Sequence, residues 1–502
     1  MKIPTTRLAM GAFVDGLTTS VFRRQQRRSI GPPLRSIHLA PGCGGGGRPT
    51  EPSDSPAATA SADPRWVLLD RRDCRRNDSL AAAAADGDIN TAVAECRTST
   101  GHRLLVSSGL VSPPASSFLY YTCSGAAAPD DDKDGGGGNS NAPTIIAAHA
   151  DSVLLRMHRP RDASSSSPSS SMATTFDHFV YRSGAGTAAR PPSLTLIPPR
   201  NIPTRYEEEE GRFPRGRDPY NRILLGEDTA VLRRGGDELL IIQLELIPSY
   251  SDRHGTADLC VLRLGNSAWE QKRSVPIVHD EGDELPGPLT GPSMAIPVGD
   301  RFLCWFCYNA GFLLLDMGAA DDEASPNPKL RYFRLPGLLA DDDQTFYSDD
   351  LPPLTNSQAM GAGGDAAVRL VAVEPRCCCG SLGRSSCPRS RFAFTVTTWT
   401  MSLTAAAEDE APVAWVKDGV MDCEEIWALP GYKGVLPRVH LQQPVVSLDD
   451  PDVVCFKVVS DTDWRKVWMI QVDMRRKELL AAVQCSDTNP AWGRHCLPAK
   501  LQ

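Results

Sequence analysis

The stretch GDELLIIQLELIP, residues 236–248, follows a Gly-Asp turn with an alternating run of apolar side chains and ends at a proline. Successive side chains of a β-strand point to opposite faces, so positions two apart share a face. One face then carries four aliphatic side chains, Leu240, Ile242, Leu244 and Leu246. The other face carries Gln243 and Glu245. This period of two predicts a half-buried strand.

The same alternation recurs near the end of the chain, where the run from Val467 to Met474 places on one face Trp468, Ile470, Val472 and Met474. A weak repeat connects such runs, because a turn with Gly or Asp leads into an apolar strand and further strands follow. The turns are Gly236-Asp237, Gly299-Asp300 and Asp449 to Asp452. Evenly spaced strands behind recurring turns are typical of β-propellers. The sequence therefore predicts an all-β fold, a β-propeller-like repeat of antiparallel sheets, with β-sandwich or barrel domains as the alternative.

Composition divides the 502 residues into three parts. Residues 1–62 predict a flexible basic leader, residues 63–490 a β-rich body, and residues 491–502 a C-terminal tail. Polar segments interrupt the body, and their composition cannot bury enough apolar surface to order itself. These segments, which we expect to be disordered loop insertions, are residues 129–142, 161–173, 205–218, 318–328, 340–366 and 376–390.

The charge of the chain is unevenly distributed. The formal net charge is −8, yet residues 1–48 hold eight Lys or Arg and the single acid Asp15, so the remainder carries −15. A negative field repels phosphate backbones, which predicts that the body binds no nucleic acid. The longest strongly apolar run without a charge, Phe302 to Leu315, is fourteen residues long. A membrane-spanning helix needs about 20 residues, so the sequence predicts no membrane span.

Two features bear on the compartment. The leader is rich in Arg and poor in acids, as organelle transit segments are, which predicts import into mitochondria or alternatively plastids. The competing interpretation is a disordered basic tail on a cytoplasmic or nuclear protein. The 15 cysteines are scattered through apolar runs such as Leu259-Cys260-Val261, where a thiol behaves as a small hydrophobe. Reduced cysteines predict an intracellular protein.

The strand-like segments resemble, in order, those of the plant family named domain of unknown function 1618. They are WVLLDR (66–71), CRTSTGHRLLVS (96–107), TIIAAHADSVLLR (144–156), DHFVYR (177–182), LCVLR (259–263), VGDRFLCW (298–305), GFLLLDM (311–317), LRYFRLP (330–336), VVSLDDPDVVCFKV (445–458) and KVWMIQVDMRRKELL (466–480). The resemblance covers about residues 64 to 485 and implies no activity, cofactor or catalytic residue. It is also distantly similar to the propeller-like domains that follow F-boxes in plant ubiquitin-ligase adaptors, but no F-box-like helical segment is recognisable before Trp66.

Two groups of cysteines have the residue types of a zinc site. Cys304 and Cys307 form a C-x-x-C, but they lie within RFLCWFCY, a predicted strand on which positions i and i+3 face opposite ways. Core packing is the favoured interpretation. The second group, Cys377 to Cys379 with Cys387, lies in a glycine-rich insertion, and adjacent cysteines chelate poorly. We therefore assign no metal ligand and expect the purified protein to contain no stoichiometric zinc.

No other pattern assigns a catalytic or cofactor-binding residue. His149 lies between two strand-like runs, where a turn or a hydrogen-bonded core histidine is the simpler interpretation than a general base. The acidic runs Asp130 to Asp132, Glu207 to Glu210 and Asp341 to Asp343 fall in the insertions and are expected to be solvated. The Gly-x-Ser-x-Gly elbow, the phosphate-binding loop and the dinucleotide-binding fingerprint do not occur. The sequence thus assigns no cofactor.

Two classes of function follow. The favoured class is a non-enzymatic protein-interaction scaffold with an unidentified protein partner, and the alternative is an enzyme whose site is built from loops at the centre of a propeller. Tryptophan is enriched at interaction hot spots, but it also fills the space between sheets. The sequence does not separate these roles for the tryptophans at positions 66, 269, 305, 399, 415, 427, 464, 468 and 492.

Overall fold

The computed structural model describes residues 64–71, 74–82, 93–124, 142–159, 176–184, 190–203, 223–235, 237–247, 255–279, 294–308, 310–320, 328–336, 357–377, 387, 390–407, 414–485 and 496–501. Residue contacts divide the chain into two units, Met1–Ser61 and Ala62–Gln502. All described residues belong to the second unit. The predicted leader lies outside them, as do most of the predicted insertions.

The described strands form five sheets, one of which consists of two four-stranded meanders joined edge to edge, so six units, called the first to the sixth sheet, follow one another along the chain. The first contains β1 (Val67–Asp70), β2 (Arg75–Arg76), β3 (Val93–Arg97), β4 (Arg103–Gly109), β5 (Ser116–Cys123) and, from the far end of the chain, β26 (Cys496–Ala499). The second contains β6 (Thr144–His149), β7 (Ser152–His158), β8 (Phe176–Arg182) and β9 (Ser193–Leu196). The third contains β10 (Thr229–Arg233), β11 (Leu239–Ile247), β12 (Thr256–Arg263) and β13 (Glu270–Val278).

The fourth sheet contains β14 (Met294–Val298), β15 (Phe302–Cys307), β16 (Gly311–Asp316) and β17 (Leu330–Arg334). The fifth contains β18 (Gln358–Ala362), β19 (Ala367–Pro375), β20 (Phe394–Ser402) and β21 (Val416–Asp422). The sixth contains β22 (Leu441–Val446), β23 (Val453–Val459), β24 (Val467–Asp473) and β25 (Glu478–Gln484). Sheets two to six are antiparallel meanders in chain order, whereas the first has the order β26-β1-β5-β4-β3 with β2 beside β5. A parallel pairing of β13 with β17 joins the third and fourth sheets into one eight-stranded sheet.

Helix is scarce in the described part of the chain. Its helices with assigned bounds are α1 (Met317–Ala320), α2 (Leu403–Ala407) and α3 (Cys423–Ala428). The third begins with a capping box: the Asp422 carboxylate accepts the backbone N–H of Glu424, and the Glu425 carboxylate accepts that of Asp422. The predicted all-β class is confirmed.

Successive sheets pack face to face in a cycle. One buried apolar cluster lies between the first and second sheets, and others follow between the second and third, third and fourth, fourth and fifth, and fifth and sixth. A sixth, smaller cluster brings Trp66 and Leu68 against Cys455 and Met469, which returns from the sixth sheet to the first. The strands β6, β10, β14, β18, β22 and β26 contact one another in the same cyclic order. A propeller requires such an order of sheets around an axis.

The apolar faces predicted for β11 and β24 are buried, but β11 is not half-buried, because Ile241 and Gln243 on its other face are 0% and 3% exposed. Leu240, Ile242 and Leu244 belong to the cluster between the third and fourth sheets, with Leu246 packed against it. On β24, Ile470 and Val472 belong to the cluster between the fifth and sixth sheets.

Other predictions differ from the structure. The insertion expected at residues 340–366 contains the buried strand β18, the one at 318–328 begins within α1, and the tail expected at 491–502 contains β26. Small side chains in β18 and a proline in β26 hide both strands, because neither has the bulky alternation on which strand prediction depends.

Candidate functional site

We call β6, β10, β14, β18, β22 and β26, which contact one another in cyclic order, the inner strands. A cavity of about 90 Å³ lies where they meet. Its walls come from β6, β14, β18, β22 and β26, with Gly226 just before β10. Prolines occur on three of these strands, at Pro297, Pro444 and Pro498. Proline has no N–H for a β-ladder, so it is tolerated on a strand whose other edge has no strand partner. The cavity therefore lies along the free edges of the inner strands.

Two glycines set the width of this cavity. A Cβ on Gly361 would lie 2.8 Å from the Cβ of Val446, so β18 approaches β22 closely only because position 361 has no side chain. A Cβ on Gly226 would overlap the guanidinium of Arg71, which donates to the carbonyl oxygen of Ile146 at 3.3 Å. The cavity stays narrow because backbone and one long cation fill the space that side chains would occupy.

The titratable groups in the cavity wall are held in their neutral forms. His149 accepts the backbone N–H of Arg233 at Nδ1 over 2.9 Å, and burial, with Lys500 adding to it, lowers its pKa to about 4. Burial raises the pKa of Tyr308 to about 12 and that of the Cys496 thiol to about 12. A general base or nucleophile for neutral pH needs a pKa near the working pH or an activating partner. The cavity thus offers neutral hydrogen-bonding groups on apolar walls.

Gln358 contributes the main unsatisfied polar atom of this wall. Its side chain is 4% exposed, and its Oε1 has no hydrogen-bond partner among the described residues. An unpaired buried amide oxygen costs roughly 1 to 3 kcal/mol, and a water in the cavity satisfies it at little cost. The cavity is large enough to hold water, which needs only about 10 to 15 Å³ by the same measure. We expect a short column of water beside Gln358.

A second buried histidine makes the fold sensitive to acid. His178 on β8 is 4% exposed and accepts the backbone N–H of Leu224 at Nε2, and burial lowers its pKa to about 4. In the unfolded chain a histidine takes up its proton near pH 6.5, so the free energy of unfolding falls as pH drops from about 6.5 towards 4. We expect a loss of about 3 kcal/mol from His178 over that window and none above it.

The variant His178→Gln keeps a hydrogen-bond acceptor but removes the titration. Urea unfolding of both proteins from neutral pH down to about pH 4 should give a shallower pH dependence for the variant, although His149 still contributes. Equal slopes for the two proteins would contradict the assignment.

The structure separates the C-x-x-C cysteines as expected. Cys304 and Cys307 both lie on β15 and are 0% and 2% exposed. Cys304 belongs to the cluster between the fourth and fifth sheets, whereas Leu303 and Trp305 on the opposite face belong to the cluster before it. Burial raises the pKa of both thiols, that of Cys307 to about 11. They are core residues, and the two thiols point away from each other.

The other predicted site residues are only partly described. Cys377 and Cys387 are both partly exposed, and the Sγ of Cys377 lies 3.8 Å from the Oγ of Ser390. Cys378 and Cys379 lie outside the described residues, as do the acidic runs at 130–132, 207–210 and 341–343. Among the described side chains no group of three or more His, Cys, Asp or Glu could hold a metal ion. The expectation about zinc stays a prediction.

A buried ionic network is the feature that sequence reasoning missed. Arg200, 2% exposed, donates to the Oε1 of Gln243 at 2.7 Å, and its Nη2 lies 2.6 Å from the Oε1 of Glu245. Gln243 in turn donates to Asp228 at 3.0 Å, and Trp305 donates to the backbone carbonyl of Asp228. The polar residues in the alternation of β11 therefore face a buried arginine. No nearby sequence signal marks Arg200 as their partner.

The structure also separates the tryptophans. Among those described, Trp66, Trp269, Trp305, Trp399 and Trp427 are buried, and Trp415 and Trp468 are half-buried. Trp464 is 60% exposed, in the turn between β23 and β24. The guanidinium of Arg465 lies 5.3 Å from the centre of its ring. This turn lies beside the end of β25, because Cys485 donates its N–H to the carbonyl oxygen of Val467. Trp464 therefore lies in a turn close to the end of β25.

The comparison with protein families bears on the middle of the chain. Residues 305–455 match the family model described as "Protein of unknown function (DUF1618)". This match supports the resemblance drawn from the strand segments. DUF1618 covers the chain from Trp305 on β15 to Cys455 on β23, and so includes the whole fifth sheet. No curated protein matches the sequence.

Solved structures show only distant likeness. A protein of unknown function from Dyadobacter fermentans is 11% identical over 82% of this chain and 94% of its own, with a TM-score of 0.28. An α-L-arabinofuranosidase from Fusarium graminearum with an iminosugar inhibitor is 9% identical over 85% and 99%, with a TM-score of 0.20. The tail fibre of Staphylococcus aureus phage P68 is 10% identical over 78% and 83%, with a TM-score of 0.16. Likeness at this level does not bear on function.

In the described part of the chain, no helix has the length and apolar character to cross a membrane.

Proposed function

We propose that residues 62–502 are a six-bladed β-propeller that serves as a non-catalytic platform for protein partners. The cyclic packing of the sheets supports the propeller arrangement, since each sheet buries both faces against its neighbours. Partners of such a platform bind its surface and outer strands. The function then depends on side chains that the fold leaves exposed.

Trp464 is the observation that carries this proposal. A ring 60% exposed to solvent loses much of the free energy that burial of a tryptophan would provide, and folding gains little from it. Exposed tryptophans are frequent hot spots of protein interfaces, where they add contact area with few rotatable bonds. Val483 on β25, 39% exposed, lies near the end of the strand that is beside this turn, and Leu480, 46% exposed, lies further along the strand.

The chemistry of the central cavity supports a platform over an enzyme. The histidine, tyrosine and cysteine in its wall all have pKa values shifted towards the neutral form by burial. An acid–base pair or a nucleophile for neutral pH needs the opposite shifts. The neutral wall favours a structural role for the cavity, with water as its occupant.

The platform hypothesis is tested with a photo-crosslinking amino acid in place of Trp464. We expect a discrete crosslinked species with a cellular protein when the full-length variant is irradiated in its native cells. A second variant with the same amino acid at Val416, which is 62% exposed on β21, is the matched control. No crosslinked species from position 464, or the same species from both positions, would exclude a partner at Trp464.

The proposal also covers the compartment of the protein and its preference for protein partners over nucleic acid. The basic composition of residues 1–48 supports import into a mitochondrion or plastid, against a cytoplasmic or nuclear location. The charge of −15 on the rest of the chain supports a protein partner over a nucleic acid.

A further inference from the structure

The last strand of the sixth sheet, β25, has one backbone edge with no strand partner in the part of the chain that the structure describes. Among the described strands it pairs only with β24. The outer strands of the other sheets differ: β13 pairs with β17, and β3 contacts β9. The outer strand β21 is open as well, but Lys417, Asp418 and Asp422 interrupt it with charges. Charges protect an edge strand from pairing with another chain, and β25 carries none from Leu479 to Gln484.

The ladder along β25 fixes where a further strand fits. Ala481 pairs with Gln471 and Leu479 with Val472, so Leu480 is an extra residue that bulges from the strand. The regular part of the edge is therefore Ala481 to Gln484, next to Trp464. An added strand there would lie along Val483 and run towards the turn that holds Trp464.

Exposed cations flank this edge at both ends. The side chains of Arg475 and Arg476, in the turn before β25, are 82% and 71% exposed, while their partners Asp452 and Asp473 are 26% and 3% exposed. Lys477 follows, 47% exposed. Arg465 and Lys466 lie exposed at the other end. These five cations outnumber the exposed carboxylates near the two ends, which are Glu425, Asp461 and Glu478. The edge therefore carries a net positive charge on a body that is otherwise acidic.

This distribution disfavours a second copy of the chain as the occupant. In a twofold antiparallel pairing of two β25 strands, the turn at 475–477 of one copy would lie beside Arg465 and Lys466 of the other. The cations of the two copies would then repel each other, and this repulsion would act at both ends of the strand pair.

We propose that β25 binds an extended acidic segment of a partner protein by strand addition, with apolar residues at alternate positions resting on Val483 and Trp464. The proposal rests on the platform function and names the chemistry of its partner. Main-chain hydrogen bonds to Ala481–Gln484 would provide affinity, and the flanking cations would select acidic sequences.

The test uses the full-length chain and a labelled peptide in which glutamate alternates with valine. Fluorescence anisotropy should detect binding that weakens as salt rises from about 0.05 to 0.5 M, because screening acts on exposed charges. The same peptide with lysine in place of glutamate should bind at least about tenfold more weakly. Hydrogen exchange should show new protection at the amides of Ala481–Gln484 with the acidic peptide.

Variants separate this edge from the rest of the surface. Val483→Asp and the double variant Arg475→Glu/Arg476→Glu should each weaken binding by about tenfold or more, whereas Val420→Asp on β21 should not change it. Equal binding of both peptides, protection elsewhere, or dimerisation of the free chain through β25 would each overturn the inference. If the acidic peptide fails while position 464 still crosslinks to a partner, strand addition is wrong and the platform function stands. Failure of both results removes the platform function as well.

Discussion

We expect that a chain ending at residue 495, which lacks β26, does not fold into the ring of sheets. β26 is antiparallel to β1 over four residue pairs and contacts both β6 and β22, so it closes the cycle of inner strands. Leu497, Ala499 and Leu501 are 8%, 0% and 0% exposed in the cluster between the first two sheets. Their loss with the ladder bonds costs about 5 kcal/mol or more, comparable with the stability of a typical domain.

Circular dichroism and soluble yield of the truncated chain measure this effect. A synthetic peptide of residues 496–502 added in trans should restore the cooperative thermal transition. The control is Lys500→Ala, which changes an exposed side chain in the same segment and should leave the transition unchanged. A truncated chain that melts like the wild type would show that the ring does not depend on β26.

Replacement of Ile242 by Asp should abolish soluble folding. Ile242 is 0% exposed in the middle of β11, where it pairs with Ala230 on one side and Val261 on the other. The cluster around it consists of aliphatic and aromatic side chains from the third and fourth sheets. An unpaired carboxylate there costs more than about 4 kcal/mol, because nothing in the cluster replaces its hydration.

The matched control lies on the same sheet. Val278 is a β-branched residue of β13 that is 41% exposed, so Val278→Asp introduces the same charge at the surface and should cost less than about 1 kcal/mol. Ile242→Val should cost about 1 kcal/mol. Urea unfolding distinguishes the three variants. A folded, soluble Ile242→Asp protein would contradict the burial of this position.

Strand periodicity predicts the parts of this fold in which large side chains alternate. β11 and β24 carry one bulky apolar face each, and the structure buries those faces between neighbouring sheets. The signal works there because large side chains are needed to fill the space between neighbouring sheets.

Strand periodicity does not predict the inner strands β18 and β26, for a physical reason. Inner strands converge, so they need small residues such as Gly361, and they tolerate proline because one edge has no strand partner. β18 and β26 therefore look like loop and tail sequences. Their burial depends on distant residues, such as Val446 beside Gly361 and Val67 opposite Ala499, and a local pattern does not contain that information.

The candidate sites were harder to predict than the strands. Gln243 and Glu245 have the spacing of solvent-facing residues. Gln243 is nevertheless 3% exposed, because it lies beside Arg200, which follows the last strand of the second sheet. Trp464 and Trp468 differ by four positions, and only the turn geometry exposes the first of them. Both outcomes depend on which segments pack together.

During synthesis, β1 is made long before its partner strand β26. About 425 residues separate the two strands, and a ribosome adds about 5 to 20 residues per second, so β1 waits about 20 to 90 seconds for its partner. Val67, Leu68 and Leu69, all fully buried in the finished protein, remain without β26 during that interval. Chaperones that hold exposed apolar segments are therefore expected to bind the nascent chain near residue 67 and to leave only after residues 496–499 have been made.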